Sequence, residues 1–389
     1  MMRLALVLPR YGPKILGGAE TTARDMAEQL VRRGHTVTAL TTCIRDYATW
    51  QNVDPAGTEV VNGVTVERFP IRPGWRTPTT EALSGRLPSA TTDEQYDWVH
   101  HQAHAPGLYR KLIADGQRYD LIFFIPYLYT TAYYGSALVN ERAVIWPCLH
   151  NELFAHLHPT RAMLAAARGV LFNSRAEQDL AHQLGAQNPR EFVVGVGIDE
   201  RVGDAHRFRS AQRLAEPYLI YAGRLEEAKN VHALVEYFSA YKQTRGGDLK
   251  LVLTGDGALR NAISHPDLVF TGYLSDQMLQ DAIAGAVALC QPSLMESFSI
   301  VIMQAWILGV PVLVHAGCAV TTEHVQAGQG GLTFADATSF ARSVDALVGD
   351  QGLRARLGAQ GGQYARAEYS WQAVTDRMEA ALEAWKHDD

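Results

Sequence analysis

Long apolar runs, an excess of basic residues and paired cysteines are all missing from this sequence of 389 residues. No stretch approaches the roughly 18 to 20 apolar residues of a transmembrane helix, and the start, "MMRLALVLPRYG", shows no signal-peptide cleavage pattern. The formal net charge is −6, whereas nucleic-acid binding normally needs a positive balance. The four cysteines form no CxxC pair, so neither a disulfide framework nor a zinc site is indicated. We therefore expect a cytoplasmic protein that touches membranes at most peripherally.

What the sequence has in quantity is strand-length apolar runs that alternate with helical patterns. "LALVLP" at 4–9 is typical of a buried parallel strand, and Ala23 and Ala27 fall at helical spacing before "HTVTALTT" forms the next strand. This βαβ pattern predicts a parallel sheet with right-handed crossovers. A later strand, "GVLF", leads into a helix for which Ser174 and Glu177 form a predicted capping box.

The alternation stops near 195–217 and begins again with "YLIYAG", which places a domain boundary there. We expect a first domain at 1–200 and a second at 205–369, with a loop at 72–95 that is rich in Pro, Thr, Ser and Gly. The predicted fold class is α/β, with two Rossmann-like, doubly wound domains. Domains that face each other would bring the carboxyl ends of both sheets, where such folds bind ligands, into one cleft.

Two cations follow the first strand of the second domain. Arg224 comes directly after that strand and Gly223, and Lys229 stands at the start of the next helix. At the carboxyl edge of a parallel sheet, Arg can hold two oxygens of a diphosphate and Lys adds a point charge. Solvated surface charges are an equally acceptable interpretation of the same spacing.

Two further glycine turns follow strands of this domain. "LTGDG" contains Gly255, although a lone GDG is weak evidence for a phosphate site. "TGYLS" places Tyr273 and Leu274 after a strand, with Ser275 as the predicted N-cap of the next helix. The backbone of this turn is suited to read the edge of a base.

The stretch "PSLMESFSIVIMQAW" combines a loop with an apolar helix. A helix that begins near Ser299 leaves the amides of Ser299, Ile300 and Val301 unpaired and available for a phosphate. Glu296 would repel that phosphate, so it is better suited to accept hydrogen bonds from neutral hydroxyls. Phosphate on the amides and hydroxyls on the carboxylate together indicate a nucleotide sugar.

These motifs, with "GGAE" at 17–20 and "AGRLEEAKN", resemble glycosyltransferase family 4 in order along most of the chain. The loop at 72–95 and the linker match poorly. The resemblance implies the GT-B fold, with a last helix at about 370–389 that packs back on the first domain. It also implies a retaining, metal-independent enzyme that uses a nucleotide sugar.

For the second domain, the resemblance implies that Arg224 and Lys229 neutralise the donor diphosphate and that Glu296 contacts sugar hydroxyls. Glu323 is a candidate to orient either cation. Gln304 stands where the family has a second Glu that binds the ribose; an amide carbonyl still accepts a hydroxyl, but more weakly than a carboxylate.

Two serines also depart from the family pattern, because Ser297 and Ser299 replace glycines that are usual in this loop. We expect them to narrow the sugar pocket.

For the first domain, Gly17 and Gly18 match the glycine loop that lies close to donor and acceptor, where glycine permits close approach. His150 matches the histidine that approaches the donor sugar, although a structural strand-end histidine stays open as an alternative. We expect Glu152 to cap or orient, and Glu20 to support the first helix through its charge.

The predicted reaction transfers a glycosyl group from a nucleoside diphosphate sugar to an acceptor hydroxyl, with retention of configuration and without a cofactor or metal. A UDP-sugar is favoured over GDP- or other nucleotide sugars. The acceptor can be a glycan, a lipid-linked sugar or a small molecule, and the lack of a Lys/Arg run argues against a strongly anionic, membrane-bound one. The alternatives are a catalytically silent homologue that acts as a binding partner and a nucleotide-sugar epimerase.

Overall fold

A computed structural model describes residues 1–15, 17–47, 49–72, 74, 82–127 and 129–386. The chain forms two compact units. The first consists of Met1–Gly197 together with Val374–Asp389, and the second of Ile198–Ala373. Within the described part of the chain, no helix is long and apolar enough to cross a membrane.

The first unit is built on an eight-stranded sheet whose order is β3-β4-β2-β1-β5-β6-β7-β8. All neighbouring strands are parallel except β3 and β4, which form an antiparallel hairpin. The strands are β1 (Arg3–Val7), β2 (Thr36–Thr42), β3 (Gly57–Val61), β4 (Val64–Phe69), β5 (Leu121–Phe124), β6 (Ala143–Ile145), β7 (Gly169–Phe172) and β8 (Glu191–Val193).

Helices connect these strands and bury apolar stripes against the sheet. In the first helix, for example, Ala23, Met26 and Leu30 are buried. The helices are α1 (Gly18–Arg32), α2 (Thr92–His100), α3 (Pro106–Asp115), α4 (Thr130–Leu138), α5 (His158–Ala166) and α6 (Arg175–Gln183), with short 3-10 turns at Leu87–Ser89, Gly116–Arg118, Asn140–Arg142 and Leu153–His156.

The predicted loop at 72–95 is only partly a loop. Its residues 73 and 75–81 lie outside the described part of the chain. At its other end α2 begins, because Thr91 caps the amide of Glu94 and the Glu94 carboxylate returns the bond in a capping box.

The second unit has a six-stranded, all-parallel sheet with the order β11-β10-β9-β12-β13-β14. This is the 3-2-1-4-5-6 order of a Rossmann fold, whose ligands bind where the order reverses, here between β9 and β12. The strands are β9 (Tyr218–Ala222), β10 (Lys250–Thr254), β11 (Leu268–Gly272), β12 (Ala288–Gln291), β13 (Val312–His315) and β14 (Gly331–Phe334). The two parallel-rich sheets confirm the predicted α/β class.

Eight further helices follow in the second half of the chain, and the last of them runs on into the first unit. They are α7 (Ala205–Gln212), α8 (Val231–Arg245), α9 (Asp276–Ala284), α10 (Ile300–Ile307), α11 (Ala319–Gly328), α12 (Ala337–Gly349), α13 (Gln351–Tyr369) and α14 (Trp371–Lys386), with 3-10 turns at Glu227–Lys229 and Ala258–Asn261.

Helix α14 completes the core of the first unit through Trp385. Its indole is fully buried and contacts the rings of Phe123 and Phe192, with centroid distances of 6.2 and 5.2 Å. Gly169 at the start of β7 makes this possible, since a Cβ there would lie 2.3 Å from the indole nitrogen. The last turn of the helix is therefore fixed to the sheet.

Candidate active site

Two strand-end glycines of the second unit lie against each other. Gly255 after β10 has φ 113°, and a Cβ there would lie 2.0 Å from the carbonyl oxygen of Gly223 after β9. The Gly223 amide donates to the Thr254 carbonyl at 3.0 Å. Only glycine fits at 255, so these two loops meet closely at the carboxyl edge of the sheet, where folds of this type bind ligands.

Lys229 and Glu296, which are far apart in the sequence, form an ion pair at this edge. The Lys229 Nζ lies 2.8 Å from Glu296 Oε1, and the two side chains are only 22% and 10% exposed. Lys229 ends the short 3-10 turn after β9, and Glu296 lies in the loop between β12 and α10. The fold thus brings together Lys229, which was predicted to bind phosphate, and Glu296, which was predicted to bind sugar hydroxyls.

Gln291, the last residue of β12, forms a hydrogen bond with Glu296. It was not predicted as a site residue. It is 5% exposed, and its amide nitrogen donates to Ser299 Oγ at 3.0 Å and to Glu296 Oε1 at 3.4 Å. A glutamine that ends a buried strand at the switch point is the signal that could have identified it.

Ser299 is the N-cap of α10 and has φ 71°, a left-handed conformation that glycine adopts more easily. The Ile302 amide donates to the Ser299 carbonyl at 3.1 Å, and the helix starts at Ile300, so the predicted helix start is accurate. Val301 follows in the first turn, and Gln304, one turn further on, is half-buried. Among the described residues, none forms a hydrogen bond with the Gln304 side chain.

Arg224 stands apart from the Lys229–Glu296 pair. Its side chain is 64% exposed and pairs with Glu226 at 3.1 Å. In the described part of the chain, Arg224 pairs with Glu226 and Lys229 pairs with Glu296, and an orienting role of Glu323 stays a prediction.

The turn after β11 carries the residues predicted to read a base. Ser275 caps α9 by accepting the Met278 amide, as predicted. Tyr273 is 65% exposed and Leu274 half-buried, so both stay available to a ligand.

In the first unit, Gly17 and Gly18 form the entry to α1 at the carboxyl end of β1. A Cβ on Gly17 would lie 2.1 Å from Glu20 Oε2, whereas one on Gly18 would meet nothing. The Glu20 carboxylate lies in the first helical turn, as predicted, but it also accepts hydrogen bonds from Arg10 Nε at 2.9 Å and from Tyr47 Oη at 2.7 Å.

An aromatic stack lies beside this carboxylate and joins residues that are far apart in the sequence. The Tyr47 ring stacks on Tyr129 at 4.8 Å, and the Arg10 guanidinium lies 3.9 Å from the Tyr47 centroid. Burial raises the pKa of Tyr129 to about 12, so its hydroxyl stays protonated well above neutral pH. Loops after β1, β2 and β5 are thereby tied together around Glu20.

His150 follows β6 and its imidazole is one-third exposed. Its Nδ1 lies 3.7 Å from Glu152 Oε1, which also accepts a hydrogen bond from Tyr127 Oη at 2.9 Å. Burial opposes ionisation of Glu152, but the nearby His150 imidazole and the hydrogen bond from Tyr127 outweigh it and lower the pKa of Glu152. Glu152 thus remains a carboxylate beside the imidazole, which fits the predicted orienting role.

The segment before His150 is held by Glu177. Ser174 accepts the Glu177 amide at 3.1 Å, as the predicted cap requires. The Glu177 carboxyl reaches further and accepts the amides of Leu149 and Asn173. Full burial raises the pKa of Glu177 to about 8.

No cluster of three or more His, Cys, Asp or Glu side chains suitable for a metal ion occurs among the residues that the structure describes.

Comparison with known proteins finds glycosyltransferases along nearly the whole chain. A family model described as "Glycosyl transferase 4-like domain" matches residues 17–197, and one described as "Glycosyl transferases group 1" matches 216–350. A glycosyltransferase of Methanocaldococcus jannaschii is 23% identical, with 96% of each chain covered. Glycogen synthase of Mycobacterium tuberculosis is 26% identical over 96% of this chain and 92% of its own.

A solved structure shares the whole fold. Anabaena HepE in complex with UDP and glucose superposes with a TM-score of 0.73 at 16% identity, covering 99% of this chain and 100% of HepE. The GT-B fold predicted from the sequence is thus confirmed. With two consecutive family models and full-length relatives of one enzyme class, the chain belongs to the GT-B glycosyltransferases of the family 4 type.

Proposed function

We propose that this glycosyltransferase moves a sugar from a nucleoside diphosphate sugar, with UDP as the favoured nucleotide, to an acceptor hydroxyl with retention of configuration and without a metal. The observation that carries the proposal is the Lys229–Glu296 pair at 2.8 Å, between the carboxyl end of β9 and the start of α10. A cation, a carboxylate and a helix N-terminus together suit a diphosphate with an attached polyol. Four buried, free cysteines support a reducing, cytoplasmic location.

Each group has a distinct proposed role in donor binding. Lys229 and the first amides of α10 bind the diphosphate, and exposed Arg224 is free to swing onto it. Glu296 accepts hydrogen bonds from the sugar hydroxyls, and Gln304 from a ribose hydroxyl. Because Lys229 and Glu296 already hold each other, little reorganisation is needed when the donor arrives.

The proposed chemistry needs no enzymic nucleophile. The bond from the anomeric carbon to the phosphate oxygen breaks as the acceptor oxygen attacks from the same face, and the departing phosphate oxygen takes the acceptor proton. Negative charge grows on the phosphate, where Lys229, Arg224 and the helix amides stabilise it. His150 is proposed to contact the sugar, as the family resemblance implies.

A thermal-shift panel with UDP, GDP, ADP and dTDP in EDTA tests donor binding. We expect UDP to raise the melting temperature of the native protein, because a ligand that binds only the folded state stabilises it. Lys229→Ala should lose the response, whereas Lys250→Ala should keep it, since Lys250 pairs with Asp267 at the opposite end of β10. If no nucleotide stabilises the folded protein, the donor site is wrong.

Gln304 supports a second candidate, a silent homologue that binds nucleotide without turnover. Product formation decides between the two: NMR of the product should show the anomeric configuration of the donor. UDP binding without transfer or donor hydrolysis, unchanged in Gln304→Glu, would favour the silent homologue.

A further inference from the structure

A charged cavity of about 370 Å³ lies in the first unit, and its described lining includes none of the candidate residues discussed above. Its walls come from the segment 11–15 after β1, from Arg45 after β2, from 54–59 at the start of β3, and from Arg68 in β4. The volume is in the range of small-molecule sites and accommodates a monosaccharide with one substituent.

The side chains that line this cavity carry more positive than negative charge. Lys14, Arg45 and Arg68 face Asp54 and Glu59, so three cations and two carboxylates leave one positive charge. Both carboxylates are already paired: Asp54 Oδ1 lies 2.6 Å from Arg45 Nη2, and Glu59 binds Arg68 Nη1.

Lys14 is exposed and, among the described residues, has no ion-pair partner. The cavity therefore has an unneutralised cation and no unneutralised anion, which favours a ligand with a negative group.

The wall that contains Arg68 is pre-organised. The Arg68 side chain is only 11% exposed, and its Nη2 donates to the Tyr11 carbonyl at 2.9 Å. Its position is thus fixed by the β1 loop and by Glu59 before any ligand arrives, which lowers the entropic cost of binding. The paired carboxylates offer remaining lone pairs to hydroxyl groups of a ligand.

One wall of the cavity is formed by the segment that precedes the glycine loop. Its segment 11–15 leads from β1 towards Gly17 and Gly18. The Arg45 carbonyl accepts a hydrogen bond from Arg10 Nη1 at 3.0 Å, and Arg10 in turn binds the Glu20 carboxylate. A ligand in the cavity therefore lies beside the loop that the family resemblance places next to the acceptor.

We propose that this cavity binds an anionic group, phosphate or carboxylate, on a sugar or polyol acceptor of the reaction. The proposal rests on the transferase function above and adds the class of acceptor. Lys14 and Arg45 contact the anion, and Asp54 and Glu59 accept hydroxyl groups. The sequence conceals this cluster, since its cations at positions 14, 45 and 68 form no basic run.

Thermal shift and calorimetry with glucose 6-phosphate, glucuronate, glucose and inorganic phosphate test the cavity. We expect at least one of the two anionic sugars to bind while neutral glucose does not. Comparing glucose 6-phosphate with glucuronate also shows whether the cavity prefers a phosphate or a carboxylate. Lys14→Ala and Arg45→Ala should each weaken that binding by about tenfold, the loss expected for one charge-assisted hydrogen bond. Arg118→Ala is the control, because Arg118 is 68% exposed and pairs with Asp115 elsewhere on the unit.

The same variants separate this proposal from donor binding. Lys14→Ala should keep the full response to UDP, and Lys229→Ala should keep the response to the anionic sugar. The proposal is overturned if neither anionic sugar binds, if glucose binds as well as they do, or if Lys229→Ala, and not Lys14→Ala, abolishes the response. In each of these cases a retained UDP response leaves the proposed donor site intact. Binding of inorganic phosphate alone would also overturn it, because no sugar is then recognised.

Discussion

His324 lies fully buried in α11 among aromatic rings, 5.0 Å from Phe298 and 5.6 Å from Tyr369 between ring centroids. Within the described chain, neither of its ring nitrogens has a hydrogen-bond partner. Burial therefore lowers its pKa from 6.5 to about 4. Phe298 belongs to the loop between Glu296 and Ser299, so the His324 ring packs against the loop that carries the candidate donor site.

We predict that His324→Phe removes an acid-sensitive part of the stability. Above pH 6.5 His324 is neutral in both the folded and the unfolded protein, so its titration does not change the free energy of unfolding. Between pH 6.5 and 4 His324 is protonated in the unfolded chain but stays neutral in the folded protein. The free energy of unfolding therefore falls by up to about 3 kcal/mol as the pH drops through this range. Urea unfolding of both proteins from pH 8 to pH 4 measures the difference.

The difference between the two stability curves isolates His324 from other groups. Glu177, with its raised pKa, contributes in the opposite sense, because stability from a protonated buried carboxyl is lost as pH rises towards 8. Exposed His232→Phe is the control and should follow the native curve. A difference curve that stays flat from pH 6.5 to 4 would show that His324 is solvated or paired in the folded state.

At the scale of elements, the strand-end loops of the second unit depend on their mutual contact. We predict that Gly255→Ala lowers the free energy of unfolding by at least about 2 kcal/mol, because its Cβ would lie 2.0 Å from the Gly223 carbonyl oxygen. UDP binding should weaken as well, since the loop that precedes Arg224 is displaced.

Gly185→Ala is the matched control for this prediction. Gly185 also has a positive φ, 78°, in the left-handed turn that follows α6, but a Cβ there meets no atom within 4 Å. It should lose only about 1 kcal/mol through backbone strain and keep UDP binding. Equal losses in both variants would mean that conformation alone, and not the contact, explains the glycine.

Element prediction succeeded where helical and strand periods were long and apolar. The first βαβ unit, the strand after the linker and the start of α10 lie where the sequence predicts them. The β3–β4 hairpin was missed, since β3 is an exposed edge strand without an apolar face. Helix α2 was missed because none of its residues is buried, and its capping box was the only local signal.

The candidate site was predictable to the extent that its residues belong to short motifs. Lys229 and Glu296 were identified separately, but their ion pair depends on the β9 and β12 strands being neighbours. The Glu20 contacts with Arg10 and Tyr47 join loops after different strands, and no local pattern reveals them. The same holds for the cavity around Lys14, whose charges meet only in the folded sheet.

At the scale of the whole molecule, the chain passes from the first unit to the second after Gly197 and returns at Val374. We predict that Trp385→Ala destabilises the first unit by about 3–5 kcal/mol, because it empties a fully buried site between Gly169, Phe123 and Phe192. Differential scanning calorimetry should show an earlier transition for the first unit.

UDP provides the internal control for this variant. It should still raise the transition of the second unit in Trp385→Ala, since Trp385 belongs to the first. If both transitions move together, the two units unfold as one cooperative block.

The return of the chain at Val374 also sets an order for synthesis on the ribosome. Residues 1–197 emerge before the second unit, yet the indole that fills their core is made about 190 residues later, a delay of roughly 10–40 s at ordinary elongation rates. The second unit has all of its own residues before the first has its last layer of core. In this protein the N-terminal half begins folding first and is completed last, and until then the surface around Gly169 is open to chaperones.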